Sequence, residues 1–83
     1  MSNTLILYGK AECELCDRAE LLIAPLLQGS SWTLEKVDIE SDEWLLERYG
    51  WRIPVLQRGG SDVEIDWPFP ASRVRALMES SGG

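Results

Sequence analysis

Two cysteines three positions apart, Cys13 and Cys16, set directly behind a short apolar run, constrain this chain more than any other feature. Thr4 to Tyr8 (TLILY) is apolar and rich in β-formers, and Gly9 ends it, which is the pattern of a buried strand. From Cys16 onward the apolar positions are Cys16, Ala19, Leu22, Ile23, Leu26 and Leu27, the spacing of one helix face, and Gly29 can stop it. The cysteine pair therefore falls at a strand-to-helix junction. A C-x-x-C in that setting reads as a thiol redox motif.

The remaining punctuation predicts a complete small domain. Pro25 lies inside the first helical pattern and predicts a kink or an early end, because an interior proline removes a backbone bond and crowds the preceding turn. Thr33 to Ile39 alternates as a second strand. Ser41 can cap a short helix through Tyr49, with Asp42 and Glu43 in its first turn, and Gly50 suits a left-handed position after it. Ile53 to Gln57, containing Pro54, reads as a third strand. Gly59-Gly60-Ser61 is hairpin-turn chemistry, and Val63, Ile65 and Trp67 alternate with Glu64 and Asp66 in a fourth strand with one wet face. Pro70 can open a last helix striped by Val74, Leu77 and Met78, with Ser80 to Gly83 a frayed, disordered tail. The order is β-α-β-α-β-β-α. Helical crossovers between the first three strands predict that they run parallel, and the last pair forms an antiparallel hairpin.

At 83 residues there is room for one domain, taken as 1–83, with a modest core. The formal charge of −6 and the scattered bases Lys10, Arg18, Lys36, Arg48, Arg52, Arg58, Arg73 and Arg75 argue against nucleic acid and anionic membrane as partners. No apolar run approaches the roughly 18 residues of a membrane helix. Met1 to Thr4 carries neither the basic nor the long apolar segment of a secretion signal, so the expected location is the cytoplasm. Thiols are kept reduced there, which argues against a static disulfide staple.

The spacing of the pair has a physical consequence. Cys13 would sit at the start of the helix, where unpaired backbone N–H groups and the helix dipole favour a thiolate, the nucleophilic form of cysteine. Lys10 adds to that, whereas Glu12 and Glu14 oppose a further negative charge. Cys16, one turn deeper, can resolve a mixed disulfide by attacking Cys13. A structural zinc site normally takes four protein ligands, and this chain has no histidine and no third cysteine, so no metal ligands are assigned. Two buried inert thiols are the plain alternative.

In order along the chain, Leu7-Tyr8-Gly9-Lys10, Cys13 to Cys16, Val37-Asp38-Ile39, Arg52-Ile53-Pro54-Val55-Leu56 and the Gly59-Gly60 turn resemble the glutaredoxin family, and more closely its small glutaredoxin-like branch. The resemblance implies a thioredoxin fold, α/β, with a four-stranded mixed sheet and helices on both faces. It implies a thiol–disulfide oxidoreductase with Cys13 as nucleophile and Cys16 as resolving cysteine, in the class of electron-transport proteins with a redox-active centre. It implies that Pro54 is cis and faces the dithiol, and that the backbone at Ile53 pairs with substrate.

The chain also departs from the family pattern. Glu14-Leu15 stands between the cysteines where Pro-Tyr or Pro-Phe is usual. Asp66-Trp67-Pro68-Phe69-Pro70 replaces a Gly-Gly-x-Asp segment that helps hold glutathione, and its prolines remove backbone donors. Lys10, Arg52, Ile53, Pro54 and Trp67 remain as candidate substrate contacts. No resident cofactor is expected, and glutathione enters only as reductant or co-substrate. The expected partner is a disulfide-containing protein or a small thiol, met by a monomer.

Trp51 and Trp67 read first as packing in a small domain and second as an apolar rim for a protein substrate; Trp32 and Trp44 read as packing only. Two other roles are consistent with the same residues. One is an iron–sulfur cluster held by Cys13 of two chains, and the other is an interaction module of the same fold without turnover.

Overall fold

The computed structural model describes residues 3–79; the predicted frayed tail falls outside that range. Strand β1 is Thr4–Gly9, helix α1 Glu14–Leu27, strand β2 Thr33–Asp38, helix α2 Glu43–Tyr49, strand β3 Val55–Arg58, strand β4 Glu64–Asp66 and helix α3 Ala71–Glu79. A single 3-10 turn, Ile39–Ser41, joins β2 to α2. The sheet order is β2-β1-β3-β4.

The sheet is mixed. Strands β1 and β2 are parallel, from Thr4 opposite Thr33 to Gly9 opposite Asp38. Strand β3 is antiparallel to β1, with Tyr8 opposite Val55, so the predicted parallel run of three strands is wrong. The two connections differ in their helices. Fourteen-residue α1 spans about 20 Å, the length of a six-residue strand, and carries the chain back to the start of β2. Seven-residue α2 spans about 10 Å, and the chain re-enters the sheet at the end where β2 stops, so β3 runs back. The β3–β4 hairpin is antiparallel as expected, closed by Ser61 N–H donating to Arg58 O and Arg58 N–H to Val63 O.

Alternation along β1 divides the interior. Leu5 and Leu7 face α1 and α3 and pack with Ala19, Ile23, Leu56, Ile65, Phe69, Val74 and Leu77. Ile39, Tyr49 and Val55 form a smaller cluster on the α2 face, with Tyr8, Leu45 and Ile53 against it. Helices thus cover both faces.

Several local predictions shift. Helix α1 continues through Pro25 to Leu27. Pro25 and Leu21, one turn earlier, both lie on the exposed side, so water can serve the carbonyl that loses its N–H partner. The cap of α2 is Asp42, whose Oδ1 accepts from Trp44 N–H at 2.8 Å; Ser41 Oγ instead donates to Asp38 O at 2.6 Å. Gly50 is not left-handed but helical, at φ −54° and ψ −31°. Its N–H donates to Leu46 O, and a Cβ there would fall 2.5 Å from that oxygen. Strand β3 begins at Val55, so Ile53 and Pro54 form its approach.

Candidate active site

Everything that positions the cysteines converges on the end of β1. The chain leaves Gly9, makes a turn in which Glu12 takes φ +56°, and enters α1 with Cys13 as the N-cap residue. Cys13 is extended, at φ −113° and ψ 105°, and its sulfur accepts the Cys16 N–H at 3.2 Å. The carbonyl of Cys13 accepts Asp17 N–H at 3.1 Å. Cys13 and Cys16 are joined as a disulfide, with Cα atoms 5.2 Å apart. Cys16 is buried at 8% exposure, whereas Cys13 is only half-buried. The two sulfurs therefore differ in access, with the outer one at the helix terminus where a thiolate is best stabilised.

Gly9 makes this approach feasible. A Cβ on it would lie 2.9 Å from the Cys16 sulfur, closer than side-chain atoms pack. The register then places Pro54. Tyr8 pairs with Val55 across the antiparallel β1–β3 ladder, so one step further sets Gly9 level with Pro54. The Ile53–Pro54 peptide is cis and Pro54 is buried. Its carbonyl accepts Trp67 N–H at 3.2 Å, which ties the Pro54 segment to the end of β4.

The other candidate residues take different places. Lys10 is exposed and lines a cleft of about 270 Å³ with Cys16, Asp17, Glu20, Lys36 and Asp38. Within that cleft Lys36 is engaged by Glu20 at 3.2 Å. Ile53 belongs to the α2-side cluster. Arg52 is committed to two carboxylates, Glu64 and Asp66, at 2.9 Å each. Trp67 is half-buried against the main core, edge-on to Phe69 with ring centres 5.1 Å apart. Trp51 departs from its packing assignment: it is 99% exposed. So does Trp44, 61% exposed with the Arg48 guanidinium 5.4 Å from its ring centre. Trp32, by contrast, packs against the main core.

A polar network beside the Pro54 segment was not foreseen from sequence. Tyr49 is buried, stacks on Tyr8 with ring centres 4.2 Å apart, and donates its hydroxyl to Glu64. Arg52 sits 5.3 Å above the Tyr49 ring while holding Glu64, whose side chain is only 12% exposed. Tyr8 donates in turn to Gln57 at 2.6 Å. Burial, then the hydrogen bond to Glu64, pushes the Tyr49 hydroxyl up to about 12. Burial works against the charged form of Glu64, but the hydrogen bonds from Tyr49 and Arg52 and the two arginine charges outweigh it and hold the carboxyl below its ordinary value. Glu64 was assigned to a wet strand face. A sequence signal did exist, since Arg52 and Glu64 flank a hairpin whose register can be counted, but nothing in the alternation says that an arginine covers that face.

Among the described residues, no group of three or more His, Cys, Asp or Glu side chains is arranged to hold a metal ion. No described helix is long and apolar enough to cross a membrane.

A sequence profile of the Glutaredoxin-like domain (DUF836) matches residues 4–79. The chain belongs to this glutaredoxin-like family. The X-ray structure of protein XcR50 from X. campestris is similar to it at 38% identity and a TM-score of 0.78, covering 93% of this chain and 97% of that one. The solution structure of Ne2328 from Nitrosomonas europaea is similar at 27% identity and a TM-score of 0.78, covering 92% and 91%. A mutant thioredoxin from Halobacterium salinarum, 23% identical with a TM-score of 0.72, covers 95% of this chain and 74% of its own, and shows that the glutaredoxin-like chain has the thioredoxin fold. No curated protein matches the sequence.

Proposed function

We propose that this glutaredoxin-like protein is a thiol–disulfide oxidoreductase in which Cys13 is the nucleophile and Cys16 the resolving cysteine. The observation that carries the reading is the asymmetry of the pair: Cys13 is the half-exposed cap of α1 and Cys16 is buried behind it, within bonding reach. In the reduced form the Cys13 thiolate attacks one sulfur of a substrate disulfide. A Cys13–substrate disulfide forms and the other substrate sulfur leaves as a thiolate, which takes up a proton. The Cys16 thiolate then attacks Cys13 Sγ, forming the Cys13–Cys16 disulfide and releasing the second substrate thiol. Two electrons pass to the substrate, and a thiol donor such as glutathione, or a dithiol reductase, returns them.

The level placement of Pro54 and Gly9 supports a role for the Ile53–Pro54 backbone beside the reacting sulfurs. Arg52 favours glutathione less, because both of its described carboxylate partners would have to be displaced. Lys10 is the basic side chain in the cleft without a described ion pair. Turnover of a small-molecule disulfide tests the reading. Cys13→Ser should abolish it, and Cys16→Ser should accumulate the mixed disulfide on Cys13, visible as added mass. A wild-type protein that exchanges with no disulfide would refute the oxidoreductase reading.

A further inference from the structure

Arg52, Ile53 and Pro54 are the last residues before β3, and they are fastened on two sides. Toward α2, the N–H groups of Arg52 and Ile53 both donate to Tyr49 O, at 2.8 and 3.1 Å. Toward β4, Pro54 O accepts Trp67 N–H at 3.2 Å. The Arg52 side chain adds a second tie to β4. Its Nη2 donates to Glu64 Oε1 and to Asp66 Oδ1, at 2.9 Å each, and its guanidinium lies 5.3 Å from the centre of the buried Tyr49 ring. Tyr49 donates its hydroxyl to the same Glu64. Asp66 is opposite Val55 in the β3–β4 ladder, so the Arg52–Asp66 ion pair and the Pro54–Trp67 hydrogen bond lie on either side of that rung.

The tie matters because β4 is weakly held otherwise. It is a three-residue edge strand with one neighbour, so its own ladder supplies few rungs. Charge-assisted hydrogen bonds are stronger than the neutral backbone bonds beside them. The segment they hold lies next to the cysteines. Tyr8 pairs with Val55, which sets Pro54 level with Gly9, and a Cβ on Gly9 would fall 2.9 Å from the Cys16 sulfur.

Resting on the oxidoreductase reading, we infer that Arg52 is a positioning residue for the disulfide substrate, acting through Glu64 and Asp66 on the Ile53–Pro54 backbone and not by contact with the substrate. Thiol–disulfide exchange needs the attacking thiolate and the attacked disulfide in line, so a wall displaced by a fraction of an ångström costs rate. The reactivity of Cys13 itself is set by its place at the start of α1, to which Arg52 makes no described contact. Loss of Arg52 therefore slows exchange and leaves the nucleophile as reactive as before.

A short peptide with one internal disulfide, made with either a C-terminal carboxylate or a C-terminal amide, tests this on the reduced protein. The rate constants for reduction of each are compared among wild type, Arg52→Ala, Asp66→Asn and the double variant. Cys13 of each protein is also alkylated with iodoacetamide, a small reagent that needs no such alignment. Arg52→Ala should reduce both peptides about tenfold more slowly, with Cys13 alkylated at the wild-type rate. Asp66→Asn, at a side chain 55% exposed, should slow both about threefold, and the double variant should be no slower than Arg52→Ala alone. Should Arg52→Ala not fold, Asp66→Asn decides alone: slower reduction of both peptides supports the positioning role and a wild-type rate overturns it. Slower reduction of the carboxylate peptide only makes Arg52 a substrate contact and overturns positioning. Alkylation slowed as much as reduction, or unchanged reduction of both peptides, also overturns it. In each of these cases the wild-type protein still reduces the peptides, and the oxidoreductase reading stands. A wild-type protein that reduces neither peptide refutes that reading, and the positioning role falls with it.

Discussion

A side-chain carbon on Gly9 would sit 2.9 Å from the sulfur of Cys16. The strand end and the helix are thus in contact through a residue that has no side chain, and the site depends on that absence. Gly9→Ala should destabilise the oxidised protein by about 1–3 kcal/mol, the usual range for forcing one extra carbon into a packed site. Gly29 is the contrast. Nothing lies within 4 Å of a Cβ there, but its φ is +76°, so Gly29→Ala carries only the cost of a left-handed backbone, about 1–2 kcal/mol. Thermal denaturation of both variants, oxidised and reduced, separates the two causes. Only the Gly9→Ala defect should change with the state of Cys16.

The Arg52–Glu64 pair should be energetically coupled. Glu64 is largely enclosed and also accepts from Tyr49, so removal of Arg52 leaves a covered carboxylate short of a partner. A double-mutant cycle with Arg52→Ala and Glu64→Ala should return a coupling energy on the order of 1–2 kcal/mol. The Arg18–Glu14 pair, with both side chains mostly exposed, should give at most about 0.5 kcal/mol in the same experiment. Equal values for the two pairs would mean that the network beside Pro54 contributes no more than a surface contact.

The same network predicts how stability follows pH. Glu64 is held below its ordinary range when folded, so its contribution is complete above the unfolded carboxylate range and is lost as pH falls through the folded value. Tyr49 works from the other side. Its folded value of about 12 exceeds the unfolded 10.0, so the folded state keeps a proton that the unfolded state releases. Stability should fall as pH rises from about 10 to about 12, by up to roughly 2–3 kcal/mol. Urea denaturation across that window checks the sign, and Tyr49→Phe should flatten this part of the alkaline limb.

Trp51 and Phe69 should respond oppositely to truncation. Trp51 is 99% exposed, so Trp51→Ala should alter stability by less than about 0.5 kcal/mol. Phe69 is buried in the main cluster under Trp67, and Phe69→Ala should cost about 3–5 kcal/mol. Chemical denaturation of the two variants measures this directly.

These contrasts show what was legible in the residues. The element order and the C-x-x-C at a helix start follow from local patterns: apolar period, glycine and proline punctuation, and capping. The cis bond before Pro54 was an expectation carried by the glutaredoxin resemblance, not by any local pattern. Strand direction was not local. Helix α2 has half the length of α1, and the chain after it re-enters the sheet at the end where β2 stops, which no local pattern records. The tryptophans misled for a similar reason. Composition says that a small domain buries its aromatics, but Trp44 lies on a side of α2 away from Leu45 and Tyr49 and Trp51 lies exposed in the turn after the helix, and no rule of residue type overrides that placement. Glu64 was the reverse case, a charge covered by an arginine from the segment before the third strand. The second cis peptide, Trp67–Pro68, likewise had no signal beyond the presence of proline.

Everything argued about function rests on Cys13 and Cys16 cycling between dithiol and disulfide. Equilibration in buffers of graded thiol–disulfide ratio, followed by acid quench and alkylation, measures this. The account predicts one two-electron transition in which both cysteines change together, about 30 mV per tenfold change in the reduced-to-oxidised ratio. In the reduced protein Cys13 should alkylate well before Cys16, which is buried. Thiols that stay reduced across the whole range, or a Cys16 that reacts first, would contradict it.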